Sequence, residues 1–223
     1  MKRFLVLLAV VALFTTQAFA GVVGSKHDLR ALGGGTPTGV GQLEVCVSCH
    51  TPHQNAAAAG QHPLWNHTGT ATLSFGVYAN STLDSKPTDI GGAAMGAQSV
   101  SLLCMSCHDG TVSVLSQYNP PNSGVGTATA VAGRIDASGL IISNAKLGTS
   151  LADDHPINFD YTTAVALADG DLVDPATDVN VSSLLFNGSL QCASCHEVHN
   201  PTFVPFLVKS NDGSALCVTC HTM

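Results

Sequence analysis

Cysteine and histidine recur in this chain at a spacing that suits one kind of chemistry. All eight cysteines fall into four copies of C-x-x-C-H: Cys46, Cys49 and His50; Cys104, Cys107 and His108; Cys192, Cys195 and His196; Cys217, Cys220 and His221. Two thiols three residues apart can add across the two vinyl groups on one edge of a porphyrin. The histidine that follows then sits below the iron as its proximal ligand. The residue before the second cysteine carries a hydroxyl each time (Ser48, Ser106, Ser194, Thr219), and a leucine stands shortly upstream of every copy. Four disulfides in an exported chain would use the same cysteines, and two C-x-x-C pairs at 192/195 and 217/220 resemble a zinc ribbon. Neither explains a histidine after every second cysteine. The expected cofactor is therefore haem c, four copies, all covalent.

Six of the ten histidines lie outside these motifs: His27, His53, His62, His67, His155 and His199. An iron held by a proximal histidine has a second axial position on the opposite face, so its two imidazoles approach from opposite directions. His196 and His199 are three apart and, if that stretch is helical, lie on one face of a turn. They do not easily bracket one haem, so His199 is free to serve another iron. The same holds for His50 and His53 in CVSCHTPH. One short segment then supplies ligands to two haems and forces them together. His155, in DDHPINFDY with Asp153 or Asp154 available to orient its ring, and His27, in SKHDLR, are further distal candidates. His67 and His62 stay open as alternatives or as polar residues near a haem edge, and Met95, Met105 and Met223 are minor rivals with histidine in surplus.

These ligands must be carried by elements that the sequence marks only faintly. Residues 21–45 read as a Gly-rich loop. The segment between the first two motifs carries an extended piece around TLSFGVY, and residues 119–185 read as loop with short strands at GLIIS and VNVSSLLF. Short helices are expected before several motifs, at AQSVSLLC and at GSALC, the latter N-capped by Asp212 or Ser214. The fold class expected is mostly irregular with short α-helices and a few short strands, wrapped around four covalently attached haems. Only 5% of residues are aromatic, so side chains alone would build a modest core. Something bulky is missing from the sequence.

Residues 1–20, MKRFLVLLAVVALFTTQAFA, have a basic start, an apolar run over 4–14 and a small-residue end, the layout of a signal peptide cleaved before Gly21. That run is shorter than the ~20 apolar residues a membrane helix needs. A single domain over 21–223, secreted to the periplasm or the bacterial exterior, with no membrane span in the mature protein, is the expectation. Six basic residues remain there, scattered against fifteen acidic ones. With no basic patch, nucleic acid is not an expected partner.

KHDL, CVSCHTPH, PLWNH, LLCMSCHDGTVSV, DDHPINFDY, QCASCHEVHN and FLVKSNDGSALCVTCH, in that order, resemble the tetrahaem c-type cytochromes with doubled CxxCH motifs that bacteria export. That resemblance covers nearly the whole mature chain. It implies electron transfer to redox donor and acceptor proteins or extracellular acceptors, and in some relatives a homopolymeric filament. It also implies His27, His53, His155 and His199 as distal ligands. The chain is thus expected not to be an enzyme. The competing expectations are a reductase of a small oxyanion with one open iron, sought beside His108 because no doubled histidine follows it, and a haem-bearing docking subunit of a redox complex.

Overall fold

The computed structural model describes residues 21–30, 44–52, 64–72, 74–90, 99–120 and 130–222. Most of them are in turns and irregular segments. The longest helix, Val100–His108, contains the whole second motif, while the third and fourth motifs begin in single turns, Cys192–Cys195 and Cys217–Cys220. Two further short helices, Thr163–Asp169 and Val179–Ser182, lie in the cysteine-free segment. Strand pairing is minimal. Gly76–Val77 pairs parallel with Ser150–Leu151, and Phe159–Asp160 pairs antiparallel with Ser189–Leu190, Phe159 opposite Leu190. No helix among the described residues is long and apolar enough to cross a membrane. The architecture agrees with the mostly irregular fold that the composition implied.

Three local expectations are corrected. VNVSSLLF is not a strand but opens as the Val179–Ser182 helix, because the Asp178 carboxylate accepts the Asn180 N–H at 2.7 Å and nucleates a turn that buries Val181 completely. GSALC is not a continuous helix either. Gly213 (φ 60°) and Ser214 (φ 65°) are in the left-handed region, so a 3-10 turn over Asp212–Ser214 precedes the motif, and neither Asp212 nor Ser214 caps it. GLIIS forms isolated bridges rather than a strand, Ile135 pairing with both Val131 and Ile141. TLSFGVY does contain an extended pair, Gly76–Val77.

Among the described residues, side chains gather in three small apolar clusters, and each abuts a C-x-x-C-H motif. Val114, Leu115, Ile135 and Ile141 pack beside Cys107. Phe159, Tyr161, Ala166, Val181 and Leu190 pack beside Cys220. Phe75, Ile90 and Leu151 enclose Met105, which is fully buried inside the second motif. Such clusters suit a chain whose remaining interior volume belongs to a bound group.

One polar residue ties the middle of the structure together. Gln191, buried just before the third motif, accepts at Oε1 from Ser99 Oγ (3.0 Å), Ser101 Oγ (2.6 Å) and Ser101 N (3.3 Å). Its Nε2 donates to Asn158 Oδ1 (2.9 Å) and Ser189 Oγ (3.2 Å), and its backbone N–H to Ser194 Oγ (3.0 Å). Ser99 is the N-cap of the long helix, yet its hydroxyl goes to Gln191 instead of capping. The side chain thereby docks the second motif on the third. Asn158, also buried, extends the network by donating from Nδ2 to Thr88 O at 2.8 Å.

Candidate haem sites

Each motif is built on one helical turn. The histidine N–H donates to the first cysteine's carbonyl at 2.9 Å for His50 and Cys46, 3.1 Å for His196 and Cys192, and 3.0 Å for His221 and Cys217; His108 closes the long helix. That i, i+3, i+4 geometry sets both sulfurs and the imidazole on one face. The hydroxyl residue turns the other way: Ser48, Ser106 and Ser194 are buried, and Ser106 Oγ donates back to Leu103 O at 2.7 Å. None of the eight cysteines is in a disulfide. No cluster of three or more metal-ligating side chains occurs among the described residues, so the last two C-x-x-C pairs do not close on one centre as a zinc ribbon requires.

Burial, the main cause, pushes the thiols of Cys49 and Cys195 up to about 11 and that of Cys107 to about 12. Cys104 and Cys192, from different motifs, share a hydrogen bond. That bond raises Cys104 well above the ordinary thiol range and lowers Cys192 to about 7. The first cysteines of the second and third motifs are therefore neighbours.

The non-motif histidines occupy informative places. The ring of His27 lies 6.2 Å from that of His108, His199 lies 6.1 Å from His50, and His155 lies 6.3 Å from His221, centroid to centroid. Each pair joins one motif histidine to one non-motif histidine. Two imidazole nitrogens about 2 Å from one metal on opposite sides leave their ring centroids roughly 6 Å apart, by analogy with other metal–imidazole bonds. The interplanar angles are 52°, 18° and 73°, and rotation of an imidazole about a metal–nitrogen bond would leave that distance unchanged. His53 and His62 lie outside the described residues, as do Met95 and Met223.

The rings are also held by their other nitrogen. Nδ1 meets Ala145 O at 2.7 Å in His108, Pro156 O at 2.9 Å in His155 and Pro205 O at 3.0 Å in His196. In His199 it meets Glu197 Oε1 at 3.0 Å. Fixing one ring nitrogen in this way orients the other toward a metal. His155 thus takes its partner from Pro156 rather than from Asp153 or Asp154. The 196–199 stretch is not helical, since His196 is extended (φ −118°, ψ 135°). Glu197 aims His199 away from its own motif by accepting from both its backbone N–H and its ring. His67 is different: it is buried, with Nδ1 2.8 Å from Thr68 O and Nε2 3.0 Å from Ser113 O, so both nitrogens are occupied by protein.

His27 is presented by a short N-terminal arm. Arg30 grips Asp28 through two bonds (Nε to Oδ1, 2.8 Å; Nη2 to Oδ2, 2.7 Å), Gly24 N donates to Asp28 Oδ2, and Arg134 Nη2 donates to Lys26 O. The Arg30 hydrogen bond is the main cause that brings the Asp28 carboxyl down to about 2. Burial, then the nearby His108 ring and Arg134, lowers His27 to about 4, so it is held as the neutral imidazole that a metal needs. His27 Nδ1 is buried with no hydrogen-bond partner among the described residues.

The depressed Asp28 supports the arm fully above its ordinary value of 3.8, and that support is lost as pH falls through about 2. Asp28→Asn is therefore expected to speed amide exchange over 22–30 by roughly tenfold at pH 7. It should add little below about pH 2, where the wild-type carboxyl is protonated as well; hydrogen exchange read by mass spectrometry checks both halves.

With this geometry in view, residues 186–223 match the family model described as the doubled CXXCH motif. That match covers 38 of the 223 residues, and this segment is what resembles the doubled-CXXCH family. No curated protein matches it. The matched segment contains the third and fourth motifs, and the doubled motif marks covalent c-type haem attachment. The residues present fit that group: paired thiols and a histidine share a face, a second ring stands near three of the motif histidines at two-ligand spacing, and one buried ring nitrogen is left without a protein partner among the described residues. Sequence reasoning missed Gln191, because its partners Ser99, Ser101 and Asn158 lie far away along the chain and no local pattern marks it.

Proposed function

We propose that this protein is an electron-transfer cytochrome carrying four covalent haems, each held between two histidines, and not an enzyme. The observation that carries the reading is the set of three ring pairs, each matching one motif histidine with one non-motif histidine at 6.1–6.3 Å. His50 and His199 hold the first haem, His27 and His108 the second, and His155 and His221 the fourth. His53 then serves His196 at the third, completing a reciprocal exchange in which the first and third motifs each lend a histidine to the other. The haem supplies a one-electron iron couple when bound. The chain sets spacing, excludes water and fills both axial positions, so no iron is open to a substrate. His27 beside His108 speaks against a reductase site at the second haem.

Leader, exported location and redox partners complete the proposal. The protein travels out through its 1–20 signal peptide and relays electrons in the periplasm or to acceptors beyond the cell. The second reading is the homopolymeric filament that the resemblance implies for some relatives. Electron microscopy of secreted material decides it, with single particles alone removing the filament.

The test of the main reading is a purified, fully matured protein. Its mass is expected to exceed the polypeptide by four haems, and its low-temperature paramagnetic resonance to show only low-spin ferric iron. A high-spin majority, or nitrite turnover with an artificial donor, would overturn it. Gly21 offers a finer check. Its N–H donates to His199 O at 2.7 Å, and a Cβ there would collide with Pro201 Cδ and stand 3.1 Å from His199 O. Gly21→Ala crowds the loop that carries His199, and is expected to raise the high-spin fraction at one haem while leaving the number of attached haems unchanged.

A further inference from the structure

Trp65 carries an indole N–H that the protein does not use. Nε1 is buried and has no hydrogen-bond acceptor among the described residues. A buried donor left unpaired is unfavourable, and buried tryptophans ordinarily find a partner for this group.

The backbone fixes where that donor stands. Thr51 N donates to Leu64 O at 2.9 Å and Asn66 N to Cys49 O at 2.8 Å, a small antiparallel bridge with His50 directly opposite Trp65. Residues opposite each other on such a bridge project to the same face. The two rings accordingly meet edge to face, 6.1 Å apart at 87°. Asn66, fully buried, locks the arrangement: its Nδ2 donates to Val47 O (2.6 Å) and Asn119 O (2.9 Å), and its Oδ1 accepts from Asn119 N (2.8 Å). The indole is therefore held against the proximal histidine of the first motif.

A haem bound there brings its own acceptors. Its edge is hydrocarbon except for two propionate carboxylates, and a carboxylate is the acceptor that a buried N–H most favours. We propose that Trp65 Nε1 donates a hydrogen bond to a propionate of the haem attached at Cys46 and Cys49, positioning that haem and raising its reduction potential. The inference rests on the haem-bearing reading above. A propionate's negative charge favours ferric over ferrous iron, and donation to it disperses part of that charge, so the bond favours the reduced state. Trp65 is a positioning residue that acts on potential, with no part in ligation.

The experiment uses the matured, haem-loaded protein. Trp65 is the chain's only tryptophan, so ultraviolet resonance Raman reads its N–H without overlap. Two replacements are compared: Trp65→Phe, and benzothienylalanine at the same position, which keeps the bicyclic shape but has no N–H and guards against a packing effect. The wild type is expected to show a hydrogen-bonded indole. Both replacements are expected to lower one midpoint potential, by roughly a three- to tenfold change in that haem's reduction equilibrium, leave the other haems in place and shift a propionate bending band. A free indole N–H in the fully loaded wild type, or unchanged potentials with benzothienylalanine, overturns this inference alone. A mass lacking the haem at Cys46 and Cys49 overturns it together with the proposed function.

Discussion

His199→Ala is expected to convert one haem from low to high spin, and the affected haem is that of the first motif, not the third motif in which His199 lies. The basis is the 6.1 Å pairing of the His199 ring with His50 and the extended backbone at His196, which carries the two histidines of QCASCHEVHN apart. Loss of one imidazole leaves a vacancy on a single iron, visible as a high-spin ferric signal and reversed by added imidazole. Double variants assign it. His50→Ala with His199→Ala should perturb one haem, because both ligands serve one iron. His196→Ala with His199→Ala should perturb two. The opposite count would overturn the proposed exchange of ligands between the first and third motifs.

The second large effect is structural. Gln191→Ala is expected to cost about 3–6 kcal/mol of stability, since it strips the buried hydroxyl of Ser99 and the amide of Asn158 of partners and opens a cavity between two motifs. Each group left unpaired in the interior carries its full desolvation penalty, which is why the sum exceeds the worth of an ordinary hydrogen bond. Gln191→Glu should fall between, because the acceptor toward Ser101 survives while the donor toward Asn158 is lost. Denaturant unfolding followed by haem absorbance measures all three proteins. A loss under about 1 kcal/mol for the alanine variant would mean that water or repacking replaces the network.

The parts of this protein legible in the sequence are those in which spacing is itself the chemistry. A C-x-x-C-H motif needs one turn of helix and little else, so the four turns could be read without tertiary knowledge. The expected separation of His199 from His196 is matched by the His199 ring lying 6.1 Å from that of His50. Which motif each distal histidine reaches could not be read, since the His27–His108 and His155–His221 approaches are set by the Asp28–Arg30 clamp, the Arg134 tether and the strand that follows Asn158. The strand expected at VNVSSLLF failed because β-branched residues outweighed one capping aspartate in the reading, whereas in the structure Asp178 decides. Nothing in PLWNH marks Trp65 for a role, and its unanswered N–H emerges only from the structure.

The three ring pairs have a consequence for how the chain could come apart. Their spans interleave: 27 to 108 overlaps 50 to 199, which overlaps 155 to 221. With an iron between the members of each pair, a single protease cut between residues 50 and 199 would leave two fragments still tethered, and neither would diffuse away until the ligands were displaced. A chain with so few aromatic side chains would in this way resist digestion through its topology.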